Sequence, residues 1–258
     1  IVVFFTLRDT PSSVGLPEVE ELDHKAEGHT SEPEKQLKGK AYKLFLNKLV
    51  FKNPIIWILA LSNFCIYVIR FTILEWGTSF LTQYKGFEID LSANIVAMSE
   101  LAGGVLGTLA AGWFTDKFMK NKAHRTCLLC TIGATFSFFL FWQTPQTAHW
   151  FISALLICLS AFFVYGPQAL LGVAASQQAT KRACATANGI LGIFGYAATT
   201  IAGIGFGYIA DKFGWNSVFL VAVIFGLIGC LVIATIWKAP ADGYEKAGTV
   251  MEEIKNME

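Results

Sequence analysis

Between Thr126 and Gln178 the chain carries no Asp, Glu, Lys or Arg. A soluble chain spreads charge over roughly 25% of its residues, so a run of this length without one points to a bilayer as the solvent. The whole sequence agrees, with 54% hydrophobic and 15% charged residues, the charges clumped between apolar runs. Six such runs, at about 54–82, 92–114, 126–143, 149–175, 184–209 and 215–237, are each long enough to cross as a helix. Short connections between them make neighbours antiparallel. The expected fold is therefore all-α and membrane-embedded, with lipid as its surroundings.

The organisation expected along the chain has four parts. Ile1–Leu7 is too short to span and reads as the end of a preceding transmembrane helix. Residues 8–52 are polar, with prolines and mixed charge, and read as a long, partly disordered loop. A six-helix bundle follows over 53–238, then a polar tail over 239–258.

Orientation follows from the basic residues. Of the twenty Lys and Arg, eight lie in 8–52, four in 115–125, two in 177–183 and three in the tail, against only Lys85 and Lys212 on the opposite side. The long loop and the carboxy terminus are expected to be cytoplasmic. A net charge of +1, with nearly all its bases in the connections between apolar runs, gives no reason to expect a nucleic-acid partner.

Charges within spans are expensive and mark function by default. Three qualify: Arg70 and Glu75 in the first span and Glu100 in the second. Arg70 sits about 17 residues, roughly 25 Å, into its helix, too deep to snorkel easily. Asn63, Tyr67 and Arg70 are spaced i, i+4, i+7 and share one face, which must line a polar cavity. A guanidinium there offers a planar fork of donors matched to phosphate or carboxylate. A structural arginine paired with a buried acid is the alternative. Glu75 lies about 140° around the helix from Arg70, so the two do not simply neutralise each other. These acids need cationic partners, or serve as coupling-proton sites.

Other features carry less. Cys127 and Cys130 form a lone C-x-x-C without a second ligand pair, so no metal is expected. Gly203, Gly205 and Gly207 follow no strand and read as helix-packing residues, not a nucleotide loop, and no cofactor is expected. His24, His29, His124 and His149 fall in loops or at interfaces and are expected in solvent. Trp57, Trp76, Trp113, Trp142 and Trp150 lie mostly near span ends, as an interfacial belt. No nucleophile–base pair suggests an enzyme.

Two levels of resemblance sharpen this reading. The loop Gly112-Trp-Phe-Thr-Asp116-Lys117, followed by Lys120, Lys122 and Arg125, resembles the G-x-x-x-D-[RK] loop of the major facilitator superfamily. That resemblance implies the carboxy-terminal half of a twelve-helix transporter, with Asp116 and Lys117 forming cytoplasmic salt bridges that hold one gate state. The segments Arg8–Leu16, Asn63–Leu81, Ser99–Gly104, Val164–Gly172 and Asn188–Tyr196 resemble, in order and spacing, the organophosphate:phosphate antiporters. Members of that family include the bacterial hexose-phosphate and glycerol-3-phosphate carriers.

The antiporter resemblance implies a phosphate clamped by two arginines, Arg70 from this half and another from an amino-terminal half outside the sequence. Tyr67, Tyr165 and Tyr196 match family aromatics around the pocket, with Asn63 on the same stripe. Glu75 and Glu100 match acids that exchange salt bridges with first-half bases as the halves rock. Two departures stand out: the family often has aspartate where this chain has Glu75, and Gly189–Tyr208 lacks the charged pair of some hexose-phosphate carriers. The implied protein sits in a bacterial inner membrane and exchanges an organic phosphate, a hexose 6-phosphate by preference, for inorganic phosphate. A sugar-phosphate sensor of the same fold and a proton-coupled organic-anion symporter are the alternatives.

Overall fold

The computed structural model describes residues 39–120, 122–240 and 243–256. From residue 43 onward the described residues form one compact unit. The expectations for residues 1–7 and for most of the 8–52 loop lie outside the described residues.

Where the sequence read as loop, the described part is helical. Helix α1 (Lys40–Leu46) continues as a π-helical turn, Asn47–Phe51. Phe45, Leu49 and Val50, at i, i+4 and i+5, are buried on one face, which explains the helix despite its polar neighbourhood. Asn53 then accepts from the backbone N–H of Ile55 at 3.1 Å, and Pro54 occupies the first helical position.

Six helices long and apolar enough to cross a membrane follow: α2 (Pro54–Gln83), α3 (Ile89–Phe118), α4 (Ala123–Gln143), α5 (Trp150–Thr180), α6 (Arg182–Phe213) and α7 (Trp215–Ala234). All six expected spans are present, several with longer ends because the polar residues flanking each apolar run stay helical. The protein is a multi-pass membrane protein. Between α5 and α6, Thr180 adopts a positive φ of 62°, which breaks what would otherwise be one helix. The expected polar tail carries a further helix, α8 (Gly243–Lys255).

Helix α2 is the most buried of the six. Its neighbours approach closely through glycines. A Cβ on Gly107 of α3 would fall 2.1 Å from the Phe162 carbonyl oxygen of α5, and one on Gly229 of α7 would fall 2.9 Å from Cys65 of α2. Hydroxyls tie the remaining faces: Thr115 to Thr126 at 2.8 Å between α3 and α4, and Ser160 to Ser137 at 3.0 Å between α5 and α4. Outward, Leu109, Ile204 and Leu231 are 67%, 77% and 71% exposed, as lipid contact requires.

The two ends of the bundle differ. At the end holding Lys85, Phe80, Phe141 and Phe219 form a cluster whose Phe80 and Phe219 ring centroids are 4.1 Å apart. Lys85 covers it, its Nζ donating to the Thr144 carbonyl and lying 5.7 Å from the Phe80 ring. At the opposite, basic end, α8 folds back onto α5. Gly243 leaves no room for a Cβ, which would lie 2.3 Å from the Gln177 carbonyl oxygen. Gln178 donates to the Pro240 carbonyl at 2.7 Å, and Lys48 pairs with Glu253. His124, expected in solvent, is buried at the first turn of α4, a correction that follows from that helix starting earlier than its apolar run.

Candidate anion site

Helix α2 presents Asn63, Tyr67 and Arg70 along one face, and the structure divides them between two neighbours. The Arg70 Nη2 donates to the Tyr165 hydroxyl on α5 at 3.0 Å. Its guanidinium carbon also sits 4.8 Å from the Tyr165 ring centroid and 5.3 Å from that of Phe71, within cation–π range. The Tyr165 hydroxyl in turn donates to the Glu100 carboxylate of α3. Glu100 stands in a π-helical turn, Ser99–Gly103, and such widened turns are common where a helix must aim a functional side chain.

Arg70 and Glu100 are therefore linked through a neutral hydroxyl and not as an ion pair. Among the described residues the ion pair is Lys48 with Glu253, far from this cluster. The Arg70 Nε lies out of solvent without a hydrogen-bond partner. A guanidinium has five N–H donors in a rigid fork, so this one retains capacity for an anion.

One turn along, Gln168 Nε2 donates to the Tyr67 hydroxyl at 3.2 Å, while Gln168 Oε1 is buried without a partner. The sequence reading did not single out Gln168. It entered only as part of the Tyr165-Gly-Pro-Gln168 stretch within the Val164–Gly172 resemblance, which leaned towards the hexose-phosphate carriers, with no role of its own.

Asn63 and Tyr196 are not brought to the cluster. Asn63 Nδ2 donates to the Leu191 carbonyl at 2.8 Å, fastening α2 to α6. Gly195 makes the contact possible, since a Cβ there would lie 3.0 Å from Asn63 Nδ2 and 3.1 Å from the Tyr67 ring. With Gly195 facing α2, the next residue points about 100° away. Tyr196 is accordingly 72% exposed.

Glu75 and Trp76 meet α6 instead. Trp76 Nε1 donates to the Ala202 carbonyl at 3.0 Å, within a second π-helical turn, Ile201–Gly205. A Cβ on Gly203 would lie 3.0 Å from Glu75 Oε2, so the glycine leaves room for the carboxylate. Asp116 and Lys117 are exposed at the end of α3. No salt bridge involves either among the described residues, and the Lys117 Nζ lies 4.9 Å from the Trp113 ring.

The sequence profile of the Major Facilitator Superfamily matches residues 1–201. The chain belongs to that superfamily. Within the superfamily, it is 31% identical over 251 residues to the "Probable hexose phosphate transport protein" of Chlamydia pneumoniae, covering 93% of this chain and 54% of that protein. It is 30% identical over 238 residues to the "Glycerol-3-phosphate transporter" of Bacillus subtilis, covering 92% and 52%. It is also 33% identical over 233 residues to the "Membrane sensor protein UhpC" of Escherichia coli, covering 90% and 52%. These similarities match the organophosphate:phosphate antiporter family anticipated from the motifs, and that family is one of transporters, not enzymes. The chain spans about half the length of the curated relatives it matches. With six membrane helices, this accords with the reading as one half of a twelve-helix transporter.

Proposed function

We propose that the full protein is a secondary transporter exchanging an organic phosphate, by preference a hexose 6-phosphate, for inorganic phosphate. The observation that carries this reading is Arg70, held at mid-helix depth by a tyrosine hydroxyl and not neutralised by a carboxylate. A cation kept that way in a bilayer is costly unless an anion visits it. A phosphate, with several acceptor oxygens, matches the fork.

The proposed mechanism is alternating access by two six-helix halves around a midplane site. The phosphate-bearing substrate bridges Arg70 and a second arginine from the amino-terminal half, drawing the halves together. Without a ligand the facing cations repel, so closure is slow and transport becomes obligate exchange. Tyr67 and Tyr165 shape the pocket from this half, while Asn63 supports it from behind by fastening α2 to α6 and Tyr196 stands exposed on α6, away from the cluster. Glu75, Glu100, Asp116 and Lys117 exchange partners between access states. The basic end faces the cytoplasm.

Similarity to the sensor UhpC supports a second reading, a membrane protein that binds a sugar phosphate and signals. The deciding experiment uses the full-length protein in liposomes loaded with labelled phosphate. Efflux that requires external glucose 6-phosphate or glycerol 3-phosphate, and vanishes in Arg70→Lys, is the expected result. Binding without efflux would favour the sensor, and neither would overturn the phosphate reading.

A further inference from the structure

Two rungs join α2 to α5. Arg70 and Tyr165 make the first; Tyr67 and Gln168 make the second, each partner displaced by three residues toward the basic end. Three residues of helix rise about 4.5 Å. In a sugar or polyol phosphate, a hydroxyl oxygen three or four bonds beyond the ester oxygen lies roughly 5 Å from phosphorus, by ordinary covalent lengths. A ligand whose phosphate sits at Arg70 therefore brings such a hydroxyl to the second rung. Inorganic phosphate cannot reach it.

The second rung also has the right unused groups. Tyr67 accepts from Gln168, which leaves its own hydroxyl proton to donate. Gln168 Oε1 is shielded from solvent and has no partner, and exchanging the two ends of the amide leaves one end equally unpartnered. A hydroxyl group is both donor and acceptor. It can give its proton to the Gln168 oxygen and take one from Tyr67, satisfying both.

We infer that Gln168, with Tyr67, is a specificity-determining pair that reads a hydroxyl of the organic moiety and so separates organic phosphates from inorganic phosphate. The inference rests on the proposed phosphate site at Arg70. Gln168 contributes nothing to the phosphate itself, so its removal acts on one ligand class only.

The test is competition against labelled phosphate on the purified full-length protein, a binding assay that serves transporter and sensor alike. Competitors are glucose 6-phosphate, glycerol 3-phosphate, inorganic phosphate and ethyl phosphate, which lacks a hydroxyl. In Gln168→Leu the two polyol phosphates should lose about tenfold in affinity, falling to the level of ethyl phosphate. Inorganic phosphate and ethyl phosphate should stay within twofold of wild type, which also certifies that the variant is folded. Gln168→Asn, whose shorter amide keeps the chemistry, should recover part of the loss. A uniform loss across all four competitors, or none, overturns the inference while leaving the site at Arg70 standing. Failure of the wild-type protein to bind any phosphate removes both.

Discussion

Tyr165 holds the arginine on one side and the acid on the other through a single oxygen. Replacing it with phenylalanine keeps the ring under the guanidinium but removes that anchor. Phosphate binding by Tyr165→Phe should weaken about three- to tenfold, the worth of one ordinary hydrogen bond, because the lost bond positions the guanidinium and does not touch the ligand, as read by equilibrium binding. An unchanged affinity would mean that the ligand displaces the hydroxyl anyway. Arg70 could be picked out of the sequence because a charge at that depth is rare and costly. Gln168 could not, since an uncharged amide in a span announces nothing until its neighbour across the interface is known. Asn63 shows the converse: it shares a face with Tyr67 and Arg70, yet along that face α2 first meets α6 and then α5.

The connection between α2 and α3 offers a titratable handle outside the spans. Lys85 is buried against Phe80 and Phe141, and that burial lowers its pKa from 10.5 to about 8. Below pH 8 both the folded and the unfolded protein carry the proton, and the penalty of burying the charge is fully present. Between 8 and 10.5 the unfolded chain keeps a proton that the folded one has released, so stability rises with pH. The thermal midpoint of the detergent-solubilised protein should climb through this window. Lys85→Met should remove that climb, the difference between the two curves isolating Lys85 from other groups that titrate there. A wild-type midpoint as flat as the variant's would refute it. The helices themselves were legible as uncharged apolar runs, because bilayer thickness dictates their length. Helices α1 and α8 were hidden, since their apolar residues are few and acquire meaning only when packed against the bundle.

At the scale of the molecule, the asymmetry of its basic residues predicts its orientation. A single cysteine in place of Glu252, on the exposed face of α8, should react with a membrane-impermeant thiol reagent only in inside-out vesicles; the native cysteines are all in or beside the spans. Labelling from the outside of intact cells would invert the topology. The six-helix architecture was readable in full from hydropathy. The site was readable only as a set of candidates, because which of α3, α5 and α6 faces each turn of α2 is decided by glycines such as Gly77 and Gly195, whose spacing carries no signature of its partner.

The docking of α8 bears on the order in which the protein is made. Its seat is built from the turn at residues 47–51 and the basic end of α5, and Ala247 and Ile254 bury against that ground. Helix α8 follows all six spans in the chain, so its seat stands empty while they are synthesised. Closure by α8 thus follows the bundle rather than guiding it: a chain truncated before Gly243 would leave this seat on α5 uncovered.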